Sequence, residues 1–98
     1  MKAADMQSRI NFGPVWVDPV MTILRQVAED YGVTVNDLRG DCRAPRFSHP
    51  RQIAYVRLRD ETNMSLPVIG RVMGGKHHTT VHKGIAAARA RIREGQTT

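Results

Sequence analysis

The sequence predicts an all-α fold, a small helical bundle that contains a helix-turn-helix. Its longer segments repeat apolar residues at three- and four-residue spacing, the period of an α-helix with one buried face. No alternating run of β-branched residues is bounded by hairpin turn residues, so no strand is indicated. The chain has 98 residues and is 41% hydrophobic, which supports a single domain. Folds that need ~200 residues, such as a complete (β/α) barrel, are excluded.

The first 17 residues are predicted to form a flexible N-terminal arm. They show no helical period and include Gly13 and Pro14. Two interpretations of Trp16 stay open, since it either covers one end of the core or acts as a small docking element. The predicted organisation is an arm over residues 1–17, a domain over 18–95 and a tail over 96–98.

Two capped helices are predicted at the start of the domain. Asp18 is placed to cap the first, with Pro19 at its first position and Gly32 as its stop. Thr34 is placed to cap a short second helix, which Gly40 ends.

Three further helices are predicted, over about residues 48–63, 66–73 and 78–94. A basic loop over residues 40–49 precedes the first of them, Ser65 caps the second, and Gly74-Gly75 separates the second from the third. The last helix has one apolar stripe, formed by Val81, Ile85, Ala88 and Ile92.

Positive charge is concentrated in the second half of the chain. The formal net charge is +6, from 15 Lys and Arg against 9 Asp and Glu. Residues 1–40 hold four basic and five acidic side chains, whereas residues 41–98 hold eleven and four, a balance of +7. This distribution favours a polyanionic partner, most commonly nucleic acid.

Other classes of site find little support. Cys42 is the single cysteine, so it excludes an internal disulfide and a cysteine zinc site and is interpreted as an inert thiol. His78 and His82 are four residues apart beside His77, but no H-E-x-x-H pattern occurs, so DNA or solvent contacts are favoured over a metal. No stretch approaches the length of a membrane span, and we expect a cytoplasmic, nucleoid-associated protein.

The most informative segment covers residues 65–85, SLPVIGRVMGGKHHTTVHKGI. It predicts a short helix, a glycine break and a longer helix with a polar first turn. This is the layout of a helix-turn-helix, in which the second helix enters the major groove of DNA with its N-terminal residues at the base edges. We expect four polar side chains to face outward there: Lys76, His78, Thr79 and Thr80.

Three segments and their spacing resemble the C-terminal DNA-binding domain (domain IV) of the bacterial replication initiator DnaA. They are HPRQIA at 49–54, SLPVIGRVMGG at 65–75 and HTTVHKGI at 78–85. The resemblance covers roughly residues 18–94. It implies a helical bundle with a Trp-repressor-like helix-turn-helix that recognises a DnaA box in double-stranded DNA. The family's initiators have an ATPase domain upstream, but these residues contain no G-x-x-x-x-G-K-[ST] loop, so we expect a stand-alone domain that binds no nucleotide.

The resemblance and the helix-turn-helix pattern together predict a set of DNA contacts. Arg43 matches the position of an arginine that the family inserts into the minor groove, and a basic loop beside a major-groove helix can reach that groove. The base contacts expected in the major groove are His77, His78, Thr79 and Thr80. The expected phosphate contacts are Arg51, Gln52, Arg59, Thr62, Ser65, Leu66, Lys76 and Lys83.

Two positions depart from the family pattern. The family usually has Asp at the position of His77, where it caps the helix and accepts a hydrogen bond from cytosine. Because imidazole N–H donates, and donors suit guanine O6 or N7, we predict a different preferred base pair at this position. Losing the Asp is also expected to cost about 1 kcal/mol of helix stability unless another group replaces the cap. Arg57 stands where the family commonly has leucine, and its stem is expected either to lie along the edge of the core or to contact a partner.

Some alternatives remain open from sequence. Arg89, Arg91 and Arg93 form either an ordinary helix surface or an extension of the phosphate contacts. The preferred function is sequence-specific binding of double-stranded DNA by a monomer, without cofactor or catalysis, to regulate replication initiation or transcription in a bacterium or phage. The alternative is an adaptor that keeps the fold but docks on a replication or phage-packaging protein.

Overall fold

A computed structural model describes residues 18–95 of the chain. Five α-helices follow one another in this part, and no strand occurs within it. They are α1 (Pro19–Tyr31), α2 (Val35–Arg39), α3 (Pro45–Thr62), α4 (Leu66–Val72) and α5 (His78–Arg93). The prediction of an all-α fold is therefore confirmed. The predicted arm at 1–17, with Trp16, and the predicted tail at 96–98 lie outside the described residues.

The two helices at the start of the domain begin at the predicted caps. The Asp18 carboxylate accepts a hydrogen bond from the Val20 N–H at 3.0 Å, and α1 ends at Gly32 in the left-handed conformation, with φ +67°. At α2, the Asp37 N–H donates to the Thr34 hydroxyl and the Thr34 N–H donates to the Asp37 carboxylate. This reciprocal pair is a capping box, which satisfies two N–H groups that a short helix otherwise leaves unbonded.

The third helix begins earlier than its sequence predicts. The prediction of a loop through residue 49 is wrong, because α3 starts at Pro45 and continues through Pro50. Pro45 takes the first helical position, where the missing N–H costs nothing. The N–H groups of Phe47 and Ser48 both donate to the Ala44 carbonyl and close the first turn. The loop is therefore confined to residues 40–44, which places Arg43 directly before α3.

The third helix is the centre of the bundle and contacts each of the other four helices. It contributes Ala54, Tyr55 and Leu58 to the core, all at most 2% exposed. The other helices cover these residues with apolar side chains, so α3 is buried along much of its length. The remaining buried core consists of Ile23, Leu24, Val27, Ala28, Leu38, Ile69, Met73 and Val81.

The turn between α4 and α5 is tight because it folds back onto α4. The N–H groups of Gly75 and Lys76 both donate to the Gly70 carbonyl, at 3.0 and 2.8 Å. Gly74 and Gly75 have φ values of +89° and +82°, which favour glycine. A Cβ atom at Gly70 would lie 2.0 Å from the Lys76 carbonyl oxygen. The structure therefore has the predicted order of short helix, glycine break and longer helix.

Candidate nucleic-acid interface

The first turn of α5 presents an exposed polar surface. His77, His78, Thr79 and Thr80 are all exposed, while Val81 behind them is fully buried in the core. The buried side of this turn therefore anchors the helix, and the opposite side is open to a partner. A helix start of this kind also has unbonded N–H groups and the positive end of the helix dipole.

His77 replaces the missing carboxylate as the cap of α5. Its Nδ1 atom accepts a hydrogen bond from the Thr79 N–H at 3.2 Å and also contacts the Thr79 hydroxyl. The expected loss of the cap is therefore offset, because the imidazole supplies the acceptor. The ring lies against His78, with 4.3 Å between the ring centroids.

The capping bond fixes the hydrogen-bonding character of the His77 ring. A backbone N–H can only donate, so Nδ1 must have a free lone pair in order to accept from Thr79. In a neutral imidazole the proton then resides on Nε2. His77 therefore has a donor on the ring nitrogen that the cap does not use.

A cleft of about 670 Å³ lies beside this surface, between the 40–44 loop, α3 and the start of α5. It is lined by six of the predicted contact residues, namely Arg43, Arg51, Gln52, Lys76, Thr80 and Lys83. Asp41 is the single carboxylate among the lining residues, so the cleft is cationic. Ser48 and Tyr55 also line it and were missed by sequence reasoning, because no pattern distinguished them from other residues of the helix.

Arg43 and Lys83 are the free cations of the cleft. Both are exposed, and neither makes a hydrogen bond or ion pair within the described part of the chain. Arg43 lies in the 40–44 loop, two residues before α3, and Lys83 lies just over one turn into α5. Their charges are thus available to a polyanion.

Arg51, by contrast, is buried and links α3 to the end of α2 and to the 40–44 loop. It is 6% exposed, and its guanidinium donates to the carbonyls of Leu38, Cys42 and Asp37, each at 2.8 Å. Three of its five N–H groups are therefore bound to main-chain oxygens, and two remain for the predicted phosphate contact. Sequence reasoning missed the structural role because its partners lie 9 to 14 residues away.

Lys76 does not face outward, and the expectation that it does is wrong. Its side chain is 11% exposed, and Nζ donates to the carbonyls of Arg39 at 2.9 Å and Met73 at 3.1 Å. Nζ also forms an ion pair with Asp41 at 3.1 Å. An ammonium group has three N–H donors, and here each has an oxygen partner. The physical reason is the tight glycine turn, which directs the lysine toward the Arg39 carbonyl at the end of α2 and the Met73 carbonyl at the end of α4.

The other predicted phosphate contacts lie apart from the cleft, around the junction of α3 and α4. Arg59 donates to the Met64 carbonyl, and the Thr62 hydroxyl donates back to the Leu58 carbonyl. The Thr62 proton is therefore already bound, which leaves the hydroxyl oxygen only as an acceptor. Ser65 is exposed and makes no side-chain capping bond at the start of α4, and Leu66 after it is half-buried against the core.

Several arginines outside the cleft link the helices to one another. Arg57 pairs with Glu61 at 2.7 Å and donates to the Gln26 side chain of α1, so it bridges two helices along the edge of the core. Arg89 pairs with Asp60 at 2.8 Å. These contacts bond the guanidinium groups of Arg57 and Arg89 to partners within the protein.

Arg91 joins α5 to the predicted contact residue Gln52. Its Nη1 donates to the Gln52 side-chain oxygen at 2.6 Å, which leaves the amide NH₂ of Gln52 as the donor for a phosphate. Burial, with the positive charge of Arg91 nearby, lowers the pKa of His49 below its ordinary value. Burial also raises the pKa of the Tyr55 phenol, whose hydroxyl has no hydrogen-bond partner among the described residues.

The sequence is similar to that of a known DNA-binding family over most of its length. The sequence pattern of the family described as bacterial dnaA protein helix-turn-helix matches residues 20–87. The chain belongs to this family. The matched range includes every predicted DNA contact, from Arg43 to Lys83, and excludes residues 88–93 at the end of α5.

Individual relatives are chromosomal replication initiator proteins DnaA. The DnaA of Oenococcus oeni is 47% identical over 62 residues, which cover 63% of this chain and 14% of the relative. The DnaA proteins of Rippkaea orientalis and Gloeothece citriformis are 42% and 44% identical over 78 residues, covering 72% of this chain and 17% of each relative. The chain thus corresponds to a small part of each initiator. Membership of the DnaA helix-turn-helix family supports DNA binding.

Two other kinds of site can be compared with the described residues. Within residues 18–95, no three His, Cys, Asp or Glu side chains are grouped so that they could hold a metal ion. None of the helices in this range is both long and apolar enough to cross a bilayer.

Proposed function

We propose that this DnaA-family domain binds double-stranded DNA at a DnaA-box-like site, as a monomer, with the start of α5 in the major groove and Arg43 in the minor groove. The observation that carries the proposal is the exposed His77–Thr80 surface beside a cleft whose free cations are Arg43 and Lys83. Base edges then meet the helix start, while the sugar-phosphate backbone follows the cleft. In the cell, such binding regulates replication initiation or transcription at the nucleoid of a bacterium or in a phage.

The preferred base pair differs from that of the standard box at the position that His77 faces. The capping bond at Nδ1 supports this, because it leaves the Nε2–H as a donor toward the groove. A donor is complementary to guanine O6 or N7, whereas the carboxylate usual in the family accepts from cytosine N4.

The experiment is a selection of bound duplexes from a random pool, carried out with the wild-type protein and with His77→Asp. We expect both proteins to enrich a shared core, with guanine replacing cytosine at one strand position only for the wild type. Identical sites for the two proteins would contradict the role of His77. No enrichment of any sequence at moderate salt would contradict DNA recognition itself.

Charge reversal separates DNA binding from the adaptor alternative. Arg43→Glu is the suitable variant because Arg43 is exposed and unbonded, whereas reversal of the buried Arg51 would disrupt the fold. We expect Arg43→Glu to abolish duplex binding without changing the thermal unfolding midpoint. For wild type, about four arginine and lysine contacts would weaken affinity roughly 10²-fold between 50 and 200 mM salt, and a flat salt dependence would favour the adaptor.

A further inference from the structure

The short segment that precedes Arg43 is bonded to α3 through the buried side chain of Arg51. This segment, residues 37–42, includes the end of α2 and the first residues of the loop. Arg51 donates to three of its carbonyls, those of Asp37, Leu38 and Cys42. The last of these bonds is made one residue before Arg43, so it restrains the backbone from which the Arg43 side chain extends.

The same segment is held from the other side by the turn between α4 and α5. Lys76 bonds the Arg39 carbonyl and the Asp41 carboxylate, while its third partner, the Met73 carbonyl, belongs to the end of α4. The backbone of this turn is also close to the segment, because a Cβ atom at Gly74 would lie 2.3 Å from the Arg39 carbonyl oxygen. Lys76 therefore connects the turn that precedes α5 to the 37–42 segment.

We propose that Lys76 is a positioning residue, which fixes Arg43 relative to the first turn of α5 so that minor-groove and major-groove contacts form in one register. Lys76 stands immediately before His77, the cap of α5, and its partner Asp41 stands two residues before Arg43. It thus joins the two DNA-reading elements, which are more than 30 residues apart in sequence, through side-chain bonds. The inference rests on the proposed DNA-binding function.

This role differs from the phosphate contact expected from sequence. All three Nζ donors of Lys76 already have oxygen partners inside the protein, so a phosphate would have to displace one of them. A direct phosphate contact acts independently of Arg43. A positioning residue acts through Arg43 and loses its effect once the arginine side chain is gone.

A double-mutant cycle distinguishes these roles. Affinity for the selected duplex is measured for wild type, Lys76→Met, Arg43→Ala and the double variant, at a temperature where all four are folded. We expect Lys76→Met to weaken binding about tenfold in the wild-type background and less than about twofold in the Arg43→Ala background. Equal weakening in both backgrounds would overturn the proposal and favour direct phosphate contact.

Lys83→Met is the matched control, since Lys83 is a free cation on the same cleft. Lys83→Met is expected to weaken binding by a similar factor with and without Arg43. It should also reduce the slope of log affinity against log salt by about 0.9.

A second readout is the discrimination between A·T and G·C at the base pairs that Arg43 contacts in the minor groove. Lys76→Met should reduce this discrimination and keep the discrimination at the major-groove positions. An equal loss of both kinds of discrimination in folded Lys76→Met would also contradict the proposal.

Asp41→Asn provides a milder variant if Lys76→Met does not fold. The Asp41 side chain is 93% exposed, so its replacement weakens the ion pair without opening the core. We expect a smaller loss of affinity that again disappears in the Arg43→Ala background, and an undiminished loss there would contradict the inference. Failure of the wild-type protein to bind any duplex would instead contradict the proposed function, so the two failures are distinguishable.

Discussion

The helices α1 and α5 both pack on α3, but by different kinds of contact. α1 is attached by an apolar seam that includes the buried Ile23, Leu24 and Val27. The buried residues of α5 are Val81 and two small residues, Gly84 and Ala88. Polar bonds flank that contact at Arg89–Asp60 and Arg91–Gln52.

The difference fits the proposed position of α5, whose first turn lies in the major groove. A seam of aliphatic side chains tolerates repacking, since volume-conserving changes there cost little. The contact between α5 and α3 tolerates substitution less well, because the small residues bring the two helices close together and an added methyl group would meet atoms that have no room to move. Of the two helices, α5 therefore has the more tightly fixed distance from α3, and it is the helix whose first turn is proposed to meet base edges.

The largest expected change in stability comes from the seam of α1. Leu24→Ala removes a side chain that is 1% exposed and should lower the free energy of unfolding by about 3 kcal/mol, measured by urea denaturation. The DNA affinity of the folded fraction should remain within about twofold of wild type, because α1 does not border the cleft. A strong loss of affinity in fully folded Leu24→Ala would show that the two attachments are not independent.

The next largest effect is expected at the α3–α5 contact. A Cβ atom at Gly84 would lie 2.7 and 2.8 Å from two ring carbons of Tyr55, which is 2% exposed. Overpacking of this kind should cost Gly84→Ala about 3 kcal/mol, of which about 1 kcal/mol is offset by the better helix propensity of alanine, so the net loss should be about 2 kcal/mol. Unlike Leu24→Ala, this variant should also weaken DNA binding, because α5 must move away from α3.

A paired substitution tests the cause at Gly84. Tyr55→Leu removes the ring carbons that the new methyl group would meet, so Gly84→Ala should be tolerated better in that background. Chemical denaturation of the two single variants and the double variant gives the coupling free energy between the two substitutions. Strictly additive losses would place the cost of Gly84→Ala somewhere other than the Tyr55 ring.

The fold was predictable where local chemistry decides it. The caps at Asp18 and Thr34 and the glycine turn at Gly74-Gly75 were correct, since each depends on residues within a few positions along the chain. The start of α3 was wrong because two prolines, Pro45 and Pro50, both fit a helix start and the sequence favours neither. In the structure the helix begins at the first proline and continues through the second, which is buried.

The candidate site was only partly predictable, for a related reason. Exposed polar residues at the start of α5 follow from the helical period, which places Val81 in the core and Thr79 and Thr80 outside. The roles of Arg51 and Lys76 do not follow from any period, because their partners are carbonyls at sequence separations of up to 37 residues. A count of basic residues cannot separate cations that bind the protein's own backbone from cations left for DNA.

A smaller effect is expected at the cap of α5. His77→Ala removes the acceptor for the Thr79 N–H and should lower stability by about 1 kcal/mol, measured as a shift in the urea midpoint. His77→Asp should keep or improve stability, because a carboxylate caps well and interacts favourably with the helix dipole. Equal stability of the alanine variant and wild type would show that the imidazole does not act as the cap.

The smallest effect concerns the ion pair of Arg57, the residue that bridges α3 to α1, and it depends on pH. The hydrogen bond from Arg57 holds the pKa of Glu61 below its ordinary value of 4.5. The carboxylate therefore contributes stability above about pH 4.5, and this contribution is lost as the pH falls through the lower folded-state pKa. Because the Glu61 side chain is 48% exposed, screening by solvent limits the contribution to less than about 1 kcal/mol.

Glu61→Gln should lower the free energy of unfolding slightly at neutral pH and reduce its loss at acid pH. The control is Glu29→Gln, which removes an exposed carboxylate without an ion pair in the described range. Its acid limb, the fall of unfolding free energy as the pH is lowered, should be parallel to that of wild type. Parallel acid limbs for all three proteins would mean that the Arg57–Glu61 bond adds no measurable stability, which would leave the apolar seam and the Arg57–Gln26 hydrogen bond as the attachments between α1 and α3.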